Sequence, residues 1–183
     1  MEQQRRRITG TGHQEIWDEI NADFNSGNSL HDYHVVIELN NQPIELDIVS
    51  SPGGSAEGGY DTTRLTAHLP GHKGFHFAIH PEDFLYKIGK LFGMQDIQTG
   101  YPEFDKNVIV KTNNPEFFKG LFASADVRHV FENLSGYSFK ILPHDELQGD
   151  HLELYIMRGI TSARDLQPIF DAFATVAGAL NNR

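Results

Sequence analysis

Between Asp96 and Phe118 the chain reads DIQTGYPEFDKNVIVKTNNPEFF, and this run narrows what can fold around it more than any other. A polar turn leads into a Phe-Asp step, then into a strand in which Val108 and Val110 alternate with Ile109 and Lys111. A helix start follows at once: Asn114 is the cap, Pro115 the first helical residue, and Glu116 complements the positive end of the dipole. In such turns Asp accepts backbone N–H bonds and Gly supplies an unusual dihedral. Asp96, Gly100, Phe104 and Asp105 are therefore read as turn and structural residues, with Phe104 plugging the core beneath. Two carboxylates flanking a turn are also the raw material for holding a cation or moving a proton, but the turn chemistry accounts for them without that.

The rest of the chain divides by its hydrophobic period. Residues 1–13 read as a disordered N-terminal tail, and 14–183 as a single domain. Ile16, Ile20 and Phe24 recur every fourth residue, with Trp17 beside them, as on an amphipathic helix from Gln14 to Phe24. From Tyr33 the period becomes two. Val35, Ile37 and Leu39 form one strand, Asn40-Asn41 the turn, and Ile44, Leu46 and Ile48 the returning strand, with a largely acidic outer face. Residues 50–59, SSPGGSAEGG, read as a mobile loop. Leu65, Ala67 and Leu69 then predict a second hairpin with Phe75, Phe77 and Ile79. His80-Pro81-Glu82 predicts a helix start, with Phe84, Ile88 and Leu91 as its apolar stripe and Gly93 as its stop.

Beyond the central turn, Val127, Val130, Phe131 and Leu134 predict a short helix, and strands follow near residues 138–142 and 152–157. Leu166, Ile169, Phe170, Phe173, Val176, Ala177 and Leu180 keep the three-and-four spacing of a long closing helix. Ser162 and Asp165 resemble a capping box at its start. Hairpins mixed with helices, without regular strand–helix alternation, predict an α+β fold: a mainly antiparallel sheet of hairpins, helices packed on one face, and a long C-terminal helix. Thirteen Phe against one Trp imply a core filled largely by phenyl rings.

Bulk charge and composition exclude several roles. A formal charge of −10 repels phosphate backbones and anionic lipid, so neither nucleic acid nor a membrane is an expected partner. The basic cluster Arg5-Arg6-Arg7 sits on the polar N-terminal stretch and reads as solvated. Cysteine is absent, which removes disulfides, thiolate zinc sites and cysteine catalysis. No signal peptide and no spanning segment is apparent, and the expectation is a soluble, cytoplasmic protein.

Ten histidines are the one compositional oddity. His68, His72, His76 and His80 recur every fourth residue, but Pro70, Gly71 and Gly74 forbid a helix there. On the hairpin reading Leu69 pairs with Phe75, which sets His68 opposite His76 and Arg64 opposite His80. Arg64, His68, His76 and His80 are thus the candidate ligand-binding residues. His68 and His76 are the candidate metal ligands, although the Arg64 charge beside them suits an anion better than a cation. The simpler reading is of solvent-facing strand residues. His34 with Glu38, beside Glu45 and Asp47, is a second nitrogen-and-oxygen group, again most simply a wet hairpin face. Ser50, Ser51 and Ser124 have no nucleophile elbow around them.

Lys90-Leu91-Phe92-Gly93, Asp96-Ile97, Thr99-Gly100 and Phe104-Asp105, followed by the strand into Lys111, resemble a segment of uncharacterised bacterial domains of unknown function. The resemblance covers roughly residues 60–180 and implies no activity, cofactor or catalytic residue. The expectation is a non-enzymatic domain that binds a protein or a small molecule, without a cofactor and as a possible homodimer. Two alternatives stand beside it. One is a small metal-dependent or acid–base enzyme using the His-bearing hairpin 64–80; the other is a cytosolic adaptor or chaperone-like homodimer.

Overall fold

The computed structural model describes residues 6–10, 12–26, 32–39, 41–50, 61–70, 74–82, 94–142 and 149–181. The expected loop 50–59, the helix stripe 84–91 and His72 lie almost wholly outside them. Among the described residues one nine-stranded sheet is formed by β1 (Arg6–Thr9), β2 (Asp32–Leu39), β3 (Gln42–Val49), β4 (Thr62–Leu69), β5 (Phe77–Pro81), β6 (Gln95–Ile97), β7 (Val108–Thr112), β8 (Tyr137–Leu142) and β9 (Asp150–Ile156). Its order is β1-β2-β3-β4-β9-β8-β5-β7-β6. Only β1 and β2 run parallel; every other neighbour pair is antiparallel. Helices α1 (His13–Asn25), α2 (Pro102–Asn107), α3 (Pro115–Leu121), α4 (Ala125–Asn133) and α5 (Ala163–Asn181) complete the α+β fold.

Strand alternation explains why the helices gather on one side. Val35 and Ile37, Ile44, Leu46 and Ile48, Leu65, Ala67 and Leu69, and Leu152, Leu154 and Ile156 are all buried, whereas the residues between them, Val36 apart, are polar or charged. On the apolar face α5 lies against β4, with α1 and α4 beside it, and α2 touches both α4 and β7. Phenyl rings fill the join as expected. Phe139 of β8 stacks on Phe131 of α4, with centroids 4.7 Å apart, and meets Phe77, Phe122 and Phe173.

Caps follow the sequence closely in places. Asn114 Oδ1 accepts from the Phe117 N–H at 3.1 Å, so α3 starts where the motif requires. Ser162 Oγ accepts from Asp165 N at 3.4 Å at the head of α5. In the similar run HPEDF, Pro81 is the last residue of β5 and not the first of a helix, and the expected helix beyond Glu82 lies outside the described residues. His80 cannot cap as Asn114 does, and its Nδ1 bonds the Pro81 carbonyl at 2.9 Å. Helix α2 was not foreseen. It is too short to show a period, and its Pro102 and Glu103 are its visible start signals.

Residues 6–9 correct the expectation of a disordered tail. They form β1, and Ile8 is fully buried opposite Ile37. Arg6 supplies the rest of the anchor: Nη1 donates to both Asp23 oxygens at 2.6 and 2.7 Å, and Nη2 donates to Glu19. Tyr33 of β2 adds its hydroxyl to Asp23 at 2.7 Å. Burial, and then that bond, hold the Tyr33 phenol protonated well above its usual range. Arg6 is half exposed, so solvent screens these bonds. Arg6→Ala is expected to cost about 1 kcal/mol and to lower hydrogen-exchange protection in β1 while β3 and β4 stay protected. Equal loss across the sheet would show that β1 is not separately anchored.

Candidate functional site

Both arms of the predicted second hairpin are strands, but they do not pair. The β8–β9 hairpin lies between them, so β4 has β3 and β9 as neighbours and β5 has β8 and β7. His68 therefore sits opposite His151, with ring centroids 5.2 Å apart. Arg64 sits opposite Tyr155 on one side and Asp47 on the other. Its guanidinium lies 5.6 Å from the Tyr155 ring centroid, and its Nε lies 3.7 Å from Glu153 Oε2. His76 precedes β5, and its Nε2 stands 3.6 Å from Asp150 Oδ2. His80 is 2% exposed and pairs with Ile109. Because a carbonyl only accepts, its Nδ1 carries the proton given to Pro81, and Nε2 is left without a hydrogen-bond partner.

The predicted pairings of His68 with His76 and of Arg64 with His80 are thus overturned. Among the described residues no three His, Asp or Glu side chains form a group able to hold a metal. The second candidate group also divides: His34 Nδ1 meets Asp47 at 2.7 Å, while Glu38 takes Arg7 at 3.2 Å.

At the central turn the carboxylates part company. Asp105 accepts from Thr99 N at 2.8 Å, Thr99 Oγ1 at 2.6 Å and Gly100 N at 2.9 Å. Asp96 pairs across the strands with Lys111 at 2.6 Å. Gly100 adopts φ 88°, and Phe104 is fully buried. The two acids are thus engaged by different partners, Asp105 by its own turn and Asp96 by the neighbouring strand.

What the tertiary structure assembles instead is a groove of about 670 Å³ between α5, the β2–β3 turn, the start of α1 and the end of β4. Asn41 at φ 62° makes that turn tight enough for Leu39 and Gln42 to pair directly across it. From α5 come Asp171, Ala174, Thr175, Gly178 and Asn181, which recur at three and four residues beside the helix's apolar stripe. The small residues leave the space. A Cβ built on Gly178 would stand 3.6 Å from Gln42 Oε1, so the backbone there approaches the turn closely.

Three features make the groove chemically distinctive. Gln42 Nε2 and Asn181 Oδ1 are buried without a hydrogen-bond partner, at a cost of about 1–3 kcal/mol each. His13 Nε2 stands 2.7 Å from Asp171 Oδ1. The same nitrogen stands 3.1 Å from the Trp17 indole Nε1–H. Of the candidate ligand-binding residues read from the sequence, only His68 lines this groove. Gly178, a glycine inside a strong helical pattern, was the available signal; the meeting of α5 with the β2–β3 turn left none in the sequence.

No helix among the described residues is long and apolar enough to cross a membrane. No family model and no curated protein matches the chain. Among solved structures, the crystal structure of the mycobacterial trehalose monomycolate transport factor A, TtfA, is similar at a TM-score of 0.49 and 6% identity, over 80% of this chain and 70% of that one. A likeness of that degree says nothing of what this chain binds.

Proposed function

We propose that this protein is a non-enzymatic binding domain that takes a small polar molecule in the groove between α5 and the β2–β3 turn. The observation that carries the reading is the pair of orphaned amide atoms, one donor on Gln42 and one acceptor on Asn181. Both residues line the groove, so a bound group that draws either amide outward recovers its missing bond. A donor and an acceptor together complement a molecule that offers an acceptor beside a donor, as a primary amide or a lactam does. Recovering two unmade hydrogen bonds in a partly enclosed site is a source of both affinity and selectivity. The metal-dependent alternative has lost the cross-strand histidine pair that motivated it.

Nicotinamide and uracil carry the amide or lactam edge, whereas phenol does not. Either of the first two is expected to shift the backbone NMR resonances of Gln42 and of residues 171–181, and phenol is not. Gly178→Leu fills the groove and should abolish those shifts while the circular dichroism spectrum is kept. Gly178→Ala should bind as before and gain about 0.5–1 kcal/mol of helix stability, since 3.6 Å is ordinary contact. If neither probe moved these resonances at millimolar concentration, or if phenol moved them equally, the reading would fail.

A further inference from the structure

We infer that a single proton on His13 decides whether Asp171 is held by α1 or is open to the groove. The inference concerns regulation of the groove proposed above, but the switch itself stands on separate observations. His13 Nε2 faces two partners with opposite demands. The Trp17 indole Nε1 only donates, so at 3.1 Å it needs the nitrogen's lone pair. The Asp171 carboxylate at 2.7 Å needs a proton on that same nitrogen. One ring nitrogen cannot meet both demands at once.

Two arrangements follow, according to whether Nε2 carries a proton: the neutral ring leaves it bare as the Nδ1–H tautomer, and acid adds the Nε2 proton outright. With Nε2 bare, the imidazole accepts from Trp17, and the Asp171 carboxylate faces a lone pair; Asp171 then turns to solvent or to a bound donor. With the ring doubly protonated, Nε2–H donates to Asp171 and draws the start of α1 onto the middle of α5. The largely buried Trp17 N–H then loses its acceptor. Imidazole is the side chain whose proton comes and goes between about pH 5 and 8.

Among the described residues, few other charges line the groove beside the ring. Asp171 is the ionisable contribution of α5 to the groove, and His68 of β4 is the other. The β2–β3 turn presents the uncharged Asn41 and Gln42. Within α1, Asp18 is held by the Gln14 amide at 2.8 Å, and Glu15 reaches toward Gly10. From β1, Arg6 is engaged by Asp23 and Glu19, and Arg7 by Glu38. The competition between Trp17 and Asp171 therefore dominates the choice. In the bare state Asp171 is free to accept from a bound amide N–H, so the groove binds such a molecule more tightly on the alkaline side.

Trp17 is the sole tryptophan, and its ring centroid lies 6.1 Å from that of His13, close enough for an imidazolium to quench its emission. The expected result is one fluorescence transition between about pH 5 and 8, dimmer on the acid side, which is absent in His13→Gln. Gln keeps an acceptor for the indole but does not titrate. Nicotinamide should bind the wild type about fivefold or more tightly at the alkaline end, with that difference flattened in Asp171→Asn while the Trp17 transition survives. A wild-type emission flat with pH, or a transition that persists in His13→Gln, overturns the switch. Equal nicotinamide affinity at both ends overturns its link to the groove. Should Trp17 respond as expected while nicotinamide binds at neither end, the switch stands and the groove's proposed ligand is wrong.

Discussion

Phe139→Ala is expected to cost about 3–5 kcal/mol of stability, the largest effect of any change considered, and to lower the melting temperature on the order of 10 °C. Phe139 is fully buried on β8 in the middle of the sheet. Its ring meets Phe77 of β5 at 5.3 Å, Phe122 after α3 at 6.3 Å, Phe131 of α4 at 4.7 Å and Phe173 of α5 at 5.8 Å. Truncation therefore removes contacts to two helices and two other segments of the core at once. It also leaves a cavity that rigid neighbouring rings close only in part. Denaturant titration of Phe139→Ala beside Phe139→Leu separates ring loss from volume loss, and the Leu variant should retain well over half of the stability lost with Ala. A loss below about 1 kcal/mol for Phe139→Ala would mean that the phenyl cluster does not hold the helices to the sheet.

Asp105→Ala is expected to cost about 2–3 kcal/mol, because one carboxylate satisfies two backbone N–H groups and a hydroxyl. The same bonds close the turn that places α2. From α2, Phe104 reaches Phe122 at 6.0 Å, and the adjoining Tyr101 ring receives the Arg128 guanidinium at 3.5 Å. Releasing the turn thus loosens a buried ring as well as a loop. Asp105→Asn should fall between, since an amide offers one accepting oxygen in place of two. Asp96→Ala is the contrasting change: its ion pair with Lys111 is largely exposed and is worth about 0–1 kcal/mol. If denaturant midpoints fell equally for Asp96→Ala and Asp105→Ala, the turn would not depend on the Asp105 bonds.

These two residues also show how far the chain could be read before folding. Asp105 and Gly100 announced a turn through local chemistry alone, because an Asp side chain reaches the backbone N–H groups of its own neighbourhood. Asn114 announced a helix start for the same reason. Burial was legible from period: Leu65, Ala67 and Leu69 alternate, and they are buried. The tail assignment failed at β1 because four residues are too few to display a period. Ile8 is held by its register with Ile37 and by Arg6 reaching Asp23, contacts that span distant parts of the chain.

Proximity in sequence foretold the β2–β3 hairpin but not the partners of β4 and β5. Phe75 to Ile79 looked like the return arm for Leu65 to Leu69, and an alternating pattern fits any apolar neighbour equally well. The β8–β9 hairpin took the place between them, so His68 met His151 and not His76. The groove has the same origin. Gln42, Asp171 and His13 belong to three elements that meet only when α5 lies across the turn of β2 and β3. Local side-chain chemistry and hydrophobic period, which act over a few residues, determined where this chain turns, caps its helices and buries its strands. The partners of β4 and β5 and the contents of the groove were decided by the tertiary structure alone, because those contacts join segments that no short-range pattern links.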